Sequence, residues 1–416
     1  MTMVSVKTMR EIFLPRHGAG AFFANVILFG MALGCFAAVL NNYLVEVQSF
    51  NETDRGVLEF FREIPGLLLV VILAVMHRLS EWKILRIGVL VSLCGVVGLM
   101  FVGSSKWALI GLIMIWSTGE HILLPLRSSI GMHIARPDKA GASLGLMTSA
   151  GFAGQVIGGL LVAGLFFVAS HCFKVSYELC FQWVWFLIAG LVICAFAVSF
   201  PRNLPESQQV RRPRLYFNAK CSKFYVLELF YGARKQIFLT FAPMVLILEY
   251  GMTTASMALL VGCCAATNIF CGPMVGKLID KFGYRNIMIY DTVVLFFVCL
   301  MYGFADKLFP LDIARMVVIV TFVLDAIIST ASMATSVYVR EISDSPEEVT
   351  STLSTGISVN HLISVLAALI GGWVWSRYGL GVLFSFAAIM AVGNSTYAWT
   401  LPRPKRQENG ISAENR

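Results

Sequence analysis

The sequence predicts an all-α integral membrane protein in which twelve spanning helices form two pseudo-symmetric six-helix halves, with both termini in the cytoplasm. Three observations support this prediction. Charged residues make up only 13% of the 416 residues and hydrophobic residues 57%, whereas a soluble domain carries about 25% charged residues. Twelve mostly apolar stretches are long enough to cross a bilayer, which takes about 20 residues. Basic residues also concentrate in alternate connecting segments.

The apolar stretches are numbered as spans 1 to 12 in chain order. The first stretch is too long for a removable signal peptide and lacks a small-residue cleavage site, so it is predicted to remain as span 1. The predicted spans are residues 18–44, 54–77, 82–103, 107–134, 139–168, 178–200, 223–249, 254–280, 285–304, 311–341, 348–376 and 380–400.

The distribution of basic residues sets the predicted orientation. With the amino terminus in the cytoplasm, 22 of the 32 Lys and Arg residues fall in cytoplasmic segments and five on the opposite side. This is the positive-inside rule, and it explains the net charge of +8 without a nucleic-acid partner. The sequence therefore predicts a multi-pass protein of a plasma membrane, such as a bacterial inner membrane. A monomer is expected.

An internal repeat and a polar linker predict the two halves. Residues 201–222 form the only long polar stretch between spans and contain a dense basic cluster. The segment 137–144 before span 5 is similar to 346–353 before span 11, and Gly158-Gly159 recurs as Gly371-Gly372. The predicted organisation is a tail of residues 1–17, an N-terminal half 18–200, the linker 201–222, a C-terminal half 223–400 and a tail 401–416.

A short charged loop joins spans 8 and 9 with the spacing G-x-x-x-D-K-x-G-x-R. Its residues are Gly276, Asp280, Lys281, Gly283 and Arg285. An acid at the carboxyl end of a helix needs a cation or the amino terminus of another helix nearby, so Lys281 and Arg285 are candidate partners of Asp280. Gly283 can adopt the positive φ of a tight helix end.

The spacing of this loop resembles the loop motif of the major facilitator superfamily of membrane transporters. The resemblance implies that the five residues brace a cytoplasmic gate, and that the substrate site lies near mid-membrane between the halves. The first-half copy of the loop has Arg78 in place of the acid and Glu81 in place of the glycine. Span 5 has Gln155 where the antiporter motif of the family has proline. These departures do not favour a standard drug antiporter.

Charged residues inside the spans mark candidate functional positions, because a charge at the bilayer centre costs about 2.5–3.5 kcal/mol on insertion scales. They concentrate on spans 2, 4, 7 and 10, which the resemblance places around a central cavity, whereas span 9 has only Asp291 near its cytoplasmic end. Glu120 and Arg127 lie seven residues apart on one face of span 4. We predict that Glu120, His121 and Asp325 carry a coupled proton. The alternatives are that Glu120 forms a structural Glu-Arg ion pair and that His121 is a hydrogen-bonded packing residue.

Polar residues on spans 4, 7, 8, 10 and 11 are the candidates for substrate binding. Cations outnumber acids on spans 4 and 7, and this favours a substrate with a negative group. On span 7, Glu228 shares a face with Lys235. The candidates are Arg127, Tyr231, Arg234, Lys235, Asn268, Ser329, Asn360 and His361. On span 2, Glu59, Arg62 and Glu63 are predicted to form an outer gate, and a solvated helix end is the alternative.

The predicted function is secondary active transport of a small organic, negatively charged solute by alternating access, with proton coupling. The first alternative is a proton-driven exporter of amphipathic drugs or lipids, and a less favoured one is a non-transporting membrane sensor. The sequence contains no H-E-x-x-H pattern, G-x-S-x-G elbow or nucleotide-binding loop. We therefore expect no enzyme activity, no cofactor and no metal site.

Overall fold

The chain is helical in the part that the structure, a computed structural model, describes: residues 12–13, 18–76, 78–103, 105–135, 140–171, 173, 175–200, 217–344 and 346–402. A few side chains within helices, including the one at Asp280, also fall outside this part. Among the described residues, nine helices are long and apolar enough to cross a membrane. This confirms a multi-pass, all-helical membrane protein.

The described helices lie on all twelve predicted stretches, and spans 2 and 10 are each divided into two helices. A π-helical turn Tyr43–Val47 follows the first helix, and 3-10 turns Ala219–Cys221 and Ser329–Ser332 precede the helices that begin at Ser222 and Met333. The α-helices are α1 Ala19–Asn42, α2 Glu52–Leu67, α3 Leu69–Val75, α4 Glu81–Phe101, α5 Lys106–His133, α6 Ala140–His171, α7 Tyr177–Ala197, α8 Ser222–Leu248, α9 Thr254–Phe282, α10 Tyr284–Leu308, α11 Leu311–Ile328, α12 Met333–Ile342, α13 Pro346–Tyr378 and α14 Leu380–Ala398.

The first of two compact units consists of residues 1–48, 68–212 and 253–266. Glycines bring its helix backbones together: a Cβ atom on Gly154 of α6 would lie 2.5 Å from the Ile27 carbonyl oxygen of α1. Such close approach is typical of membrane helices, where small residues permit backbone contact. The indole of Trp116 is buried and stacks on the ring of Phe36 with centroids 4.6 Å apart.

The second compact unit consists of residues 49–67, 213–252 and 267–416. Here α2 packs closely on α13, since a Cβ atom on Gly372 would lie 2.7 Å from the Glu52 carbonyl oxygen. A Cβ atom on Gly56 would lie 2.6 Å from the carbonyl oxygen of Ala368. These contacts explain why residues 49–67 of span 2 group with the second unit.

The two repeated glycine pairs make equivalent contacts within their units. Gly158 faces the backbone of α1, and Gly159 faces that of α9 near Ala258. Gly371 faces the ring of Phe241 in α8, and Gly372 faces α2. A repeat of six spans relates span 1 to span 7 and span 2 to span 8. The two glycine pairs therefore contact helices that the repeat relates.

Two spans predicted as continuous helices are interrupted. In span 2, Pro65 lacks the N–H that would continue the helical hydrogen bonds, and α2 ends at Leu67. In span 10, the hydroxyls of Thr330 and Ser332 donate to the carbonyl oxygens of Ile327 and Ser329 at 2.6 and 2.8 Å. Such local bonds compete with regular helical bonding, and a 3-10 turn results.

Candidate functional site

The polar cluster of the first unit is built on α5. The Arg127 guanidinium donates to Asn25 Oδ1 at 3.3 Å and lies 4.6 Å above the ring of Phe29. The carboxylate of Glu120 interacts electrostatically with Arg127. Within the described chain, Glu120 makes no direct hydrogen bond or ion pair. Glu120 and Arg127, which were predicted to share a face, therefore attract each other without direct contact. The hydrogen-bond partner of Arg127 is Asn25.

Asn25 is a functional residue that sequence reasoning missed. Its side-chain amide donates to the Ala195 carbonyl oxygen at 2.9 Å, and its own oxygen accepts from Arg127. These two bonds hold the amide in one orientation between α1, α5 and α7. The available signal was a polar residue early in an otherwise apolar span.

His121 is oriented by its own helix. Its Nδ1 lies 2.8 Å from the Ser117 carbonyl oxygen and 3.1 Å from the Ser117 hydroxyl. A carbonyl oxygen only accepts, so Nδ1 must carry a proton. The ring is buried, with 8% of its residue surface exposed.

In the second unit, Arg234 of α8 and Asp325 of α11 form an ion pair. Arg234 Nη1 lies 2.6 Å from Asp325 Oδ1, and Arg234 is only 2% exposed. The Tyr231 ring lies 5.3 Å from the guanidinium. A residue predicted to bind substrate and one predicted to carry a proton are therefore direct partners.

Asp291 of α10 adds a second acid to this cluster, although the resemblance implied a position outside the cavity. It interacts electrostatically with Arg234. Asp291 Oδ1 and Arg234 Nη2 are both buried and have no hydrogen-bond partner in the described part of the chain. The cluster thus holds one cation and two acids with incomplete hydrogen bonding.

Glu228, six residues before Arg234 on α8, accepts hydrogen bonds from two other helices. Asn360 Nδ2 donates to it at 3.1 Å and the Thr335 hydroxyl at 3.5 Å. Lys235 interacts with Glu228 electrostatically and makes no direct hydrogen bond or ion pair to a described residue. Asn360, predicted to bind substrate, is therefore a partner of Glu228. The seven-residue spacing of Glu228 and Lys235 was the signal for this acid.

The residues predicted for an outer gate form a buried charge network on α2. Glu59 Oε2 lies 2.7 Å from Arg62 Nε, and Glu59 Oε1 lies 2.6 Å from Arg55 Nη1, an ion pair without hydrogen-bond geometry. Glu63 Oε2 lies 2.7 Å from Nδ1 of His361 on α13. Glu59 and Arg55 are 0% and 2% exposed. His361, predicted to bind substrate, thus contacts the predicted gate. Arg55, the second residue of predicted span 2, was missed.

The loop between α9 and α10 is described in part. The surroundings of Gly276 and of the Asp280 side chain lie outside the part of the chain that the structure describes. Gly283 has φ of 78°, which confirms the predicted positive φ. Arg285 donates to the Trp399 carbonyl oxygen at 2.7 Å, so it contacts the end of α14. Lys281 lies 5.2 Å from the Phe282 ring.

Two predicted substrate residues remain. The side-chain oxygen of Asn268 on α9 is buried without a hydrogen-bond partner in the described chain. Ser329 begins the 3-10 turn of span 10, and its carbonyl oxygen accepts from Ser332. In the first-half loop, Glu81 at the start of α4 accepts a hydrogen bond from Ser129 of α5. That bond ties two helices where the family motif would have glycine.

The fold and these clusters define a multi-pass helical membrane protein that keeps charged side chains inside its spans. A family model described as Major Facilitator Superfamily matches residues 107–339 and 224–416. The chain belongs to this superfamily of membrane transporters, which are not enzymes, and the predicted family is confirmed. Among curated proteins, no sequence matches the chain.

Solved structures similar to the chain are also transporters. The nucleoside transporter NupG is 14% identical, with a TM-score of 0.69 over 92% of this chain and 100% of NupG. A bacterial homologue of the human lysosomal transporter Spinster, in an inward-facing conformation, is 15% identical, with a TM-score of 0.69 over 92% of this chain and 95% of that one. A D-xylose-proton symporter is 14% identical, with a TM-score of 0.69 over 93% and 98%. At these identities the likeness shows the fold.

Proposed function

We propose that the chain is a secondary active transporter that couples protons to the movement of a small organic anion by alternating access. In this proposal all twelve stretches cross a plasma membrane, as in a bacterial inner membrane, and both termini are cytoplasmic. The observation that carries it is Glu120, a carboxylate inside a membrane span that has no direct partner in the described chain. Ionisable residues within spans are expensive and are functional by default.

The attraction between Glu120 and Arg127 gives the proposed coupling a physical form. An ionised Glu120 offsets the positive charge of Arg127 and so opposes the binding of a second anion there. Proton uptake by Glu120 removes this competition. Proton and substrate therefore favour each other's binding, and the coupling is reciprocal.

The cations available to an anionic substrate support the second part of the proposal. Arg127 Nε is buried without a hydrogen-bond partner in the described chain. Lys235 is also without a direct acid partner there, and Arg234 has one unpaired nitrogen. Neutralising a substrate carboxylate would satisfy donors that are otherwise costly to bury. The D-xylose-proton symporter with the same fold supports protons as the coupling ion.

The buried network of Glu59, Arg62 and Glu63 is proposed as the outer gate. With Arg55 the network has two cations and two acids, which balance in charge, and His361 ties it to α13. Separating α2 from α13 would break the contact of Glu63 with His361. The network thus favours the packed arrangement of these two helices.

The test is transport in proteoliposomes containing the purified protein. An inward proton gradient should drive uptake of members of a panel of labelled monocarboxylates, and Glu120→Gln should abolish the response to the gradient. Glu178→Gln is the matched control, because Glu178 is exposed at the start of α7. Flux that ignores pH in the wild type, or survives unchanged in Glu120→Gln, would refute proton coupling at this residue. Uptake of cationic dyes alone would favour the drug-exporter alternative.

A further inference from the structure

A cavity of about 530 Å³ lies within the second unit, away from every predicted substrate residue. The start of α2, the ends of α8 and α10, and the turn between α13 and α14 surround it. Its polar and aromatic lining consists of Glu52, Glu249, Tyr250, Phe304, Asp306, Lys307, Trp375 and Tyr378. We name it the Tyr250 cavity. Its volume is in the range of pockets for small organic ligands, about 300–1,000 Å³.

The charged groups of the Tyr250 cavity are mostly negative. Glu52, Glu249 and Asp306 outnumber the single cation Lys307, whose ammonium lies 5.6 Å from the Phe304 ring. The carboxylates are close enough to affect one another: burial, Glu52 and Asp306 together raise the pKa of Glu249. The cavity therefore attracts positive charge.

Two donors on largely buried side chains of the Tyr250 cavity have no partner among the described residues. Tyr250 is 7% exposed and Trp375 is 5% exposed, yet neither the phenol hydroxyl nor the indole N–H has a hydrogen-bond partner in the described part of the chain. The two donor atoms themselves are not enclosed by the protein. Both side chains line the cavity, so a bound molecule with an acceptor atom can satisfy them. This observation is independent of the acidic residues.

The aromatic side chains favour an organic cation over a metal ion. Tyrosine and tryptophan faces attract quaternary and protonated amines, whereas hard metal ions require a closed set of oxygen ligands. Tyr250, Phe304, Trp375 and Tyr378 supply apolar walls beside the carboxylates. The lining thus offers three kinds of contact: negative charge, aromatic surface and hydrogen-bond donors.

We propose that the Tyr250 cavity binds an organic cation that carries an amine or quaternary ammonium group, an apolar group and a hydrogen-bond acceptor. The carboxylates of Glu52, Glu249 and Asp306 attract the cation. Tyr250 and Trp375 contact the apolar group and donate to the acceptor. The site is separate from the residues proposed for transport, so its ligand need not be the transported solute.

The test is calorimetric titration of the purified full-length protein with benzoylcholine, which combines these three features. The matched control ligand is its uncharged isostere, 3,3-dimethylbutyl benzoate, in which carbon replaces the quaternary nitrogen. We expect benzoylcholine to bind, and Glu249→Gln and Asp306→Asn each to weaken binding about five- to tenfold. Asp312→Asn, which removes an exposed acid outside the cavity, should leave affinity unchanged.

Three outcomes would overturn the proposal. The isostere could bind as tightly as benzoylcholine, Asp312→Asn could weaken binding as much as Glu249→Gln, or calcium ions could bind at the carboxylates while benzoylcholine does not. Glu120→Gln should bind benzoylcholine like the wild type. Loss of proton-driven transport in that variant with retained binding would separate this site from the proposed transport function.

Discussion

Replacing Asp325 by Asn is expected to leave the buried Arg234 guanidinium with a weaker partner and to destabilise the second unit. At the observed separation of 2.6 Å, two unit charges attract by about 6 kcal/mol at an effective dielectric constant of about 20. The introduced amide can still accept a hydrogen bond, and Asp291 remains near Arg234. The expected loss is therefore about 3 kcal/mol, the lower end for breaking a buried pair.

Arg234→Gln should be more damaging than Asp325→Asn, because it leaves two acids in the cluster without a cation. The expected loss is about 5 kcal/mol. For a domain of this size each kcal/mol lowers Tm by about 2–4 °C, which separates the two variants in a thermal unfolding experiment on purified protein. Asp312→Asn serves as the exposed-acid control. The double variant should lose less than the sum of the single variants by about 0.5–3 kcal/mol. Additive losses, or an Asp325→Asn variant as stable as the wild type, would refute this account of the cluster.

Two further predictions concern the second unit. Partial burial and two neighbouring acids raise the pKa of Glu249 above its ordinary 4.5, so the folded state binds the proton more tightly than the unfolded state. Stability should therefore increase as the pH falls through the raised pKa and stop increasing below the ordinary value. Glu249→Gln should lack this contribution and raise Tm at pH 7 by about 1–2 °C, a small effect for an exposed side chain; an unchanged pH profile would contradict it. Gly372→Ala should cost about 1–3 kcal/mol of stability, because the added Cβ would lie 2.7 Å from the Glu52 carbonyl oxygen. Gly190→Ala is its control, since nothing lies within 4 Å of that position, and equal thermal stability of the two variants would show that α2 and α13 do not pack as described.

The sequence predicted the class of fold because bilayer insertion acts on composition and length, which are properties of each segment alone. The positive φ of Gly283 was predictable for a similar reason, since only glycine reaches that conformation without strain. Breaks in the spans were harder to foresee. The 3-10 turn at Ser329–Ser332 depends on whether hydroxyls bond to their own turn or elsewhere, and that choice follows from packing.

Partners of the charged residues were the least predictable part of the candidate site. Spacing along a helix correctly placed Glu228 and Lys235 within electrostatic reach of each other, but the hydrogen bonds of Glu228 come from Asn360 and Thr335 on other helices. The same holds for the contacts of Arg234 with Asp325 and of Glu63 with His361. Periodicity shows which residues share a face, whereas helix packing decides what that face meets.

The pairing of Arg234 with Asp325 joins two roles that the sequence suggested separately. While Asp325 is ionised, it competes with a substrate anion for the same guanidinium. A proton on Asp325 would release Arg234, so under the proposed function proton binding here would also favour anion binding. Asp325→Asn resembles the protonated state, and we expect it to retain exchange of labelled for unlabelled anion while losing uptake driven by a proton gradient. Retained gradient-driven uptake in this variant, measured beside Glu120→Gln in the same proteoliposomes, would assign the coupling to Glu120 alone.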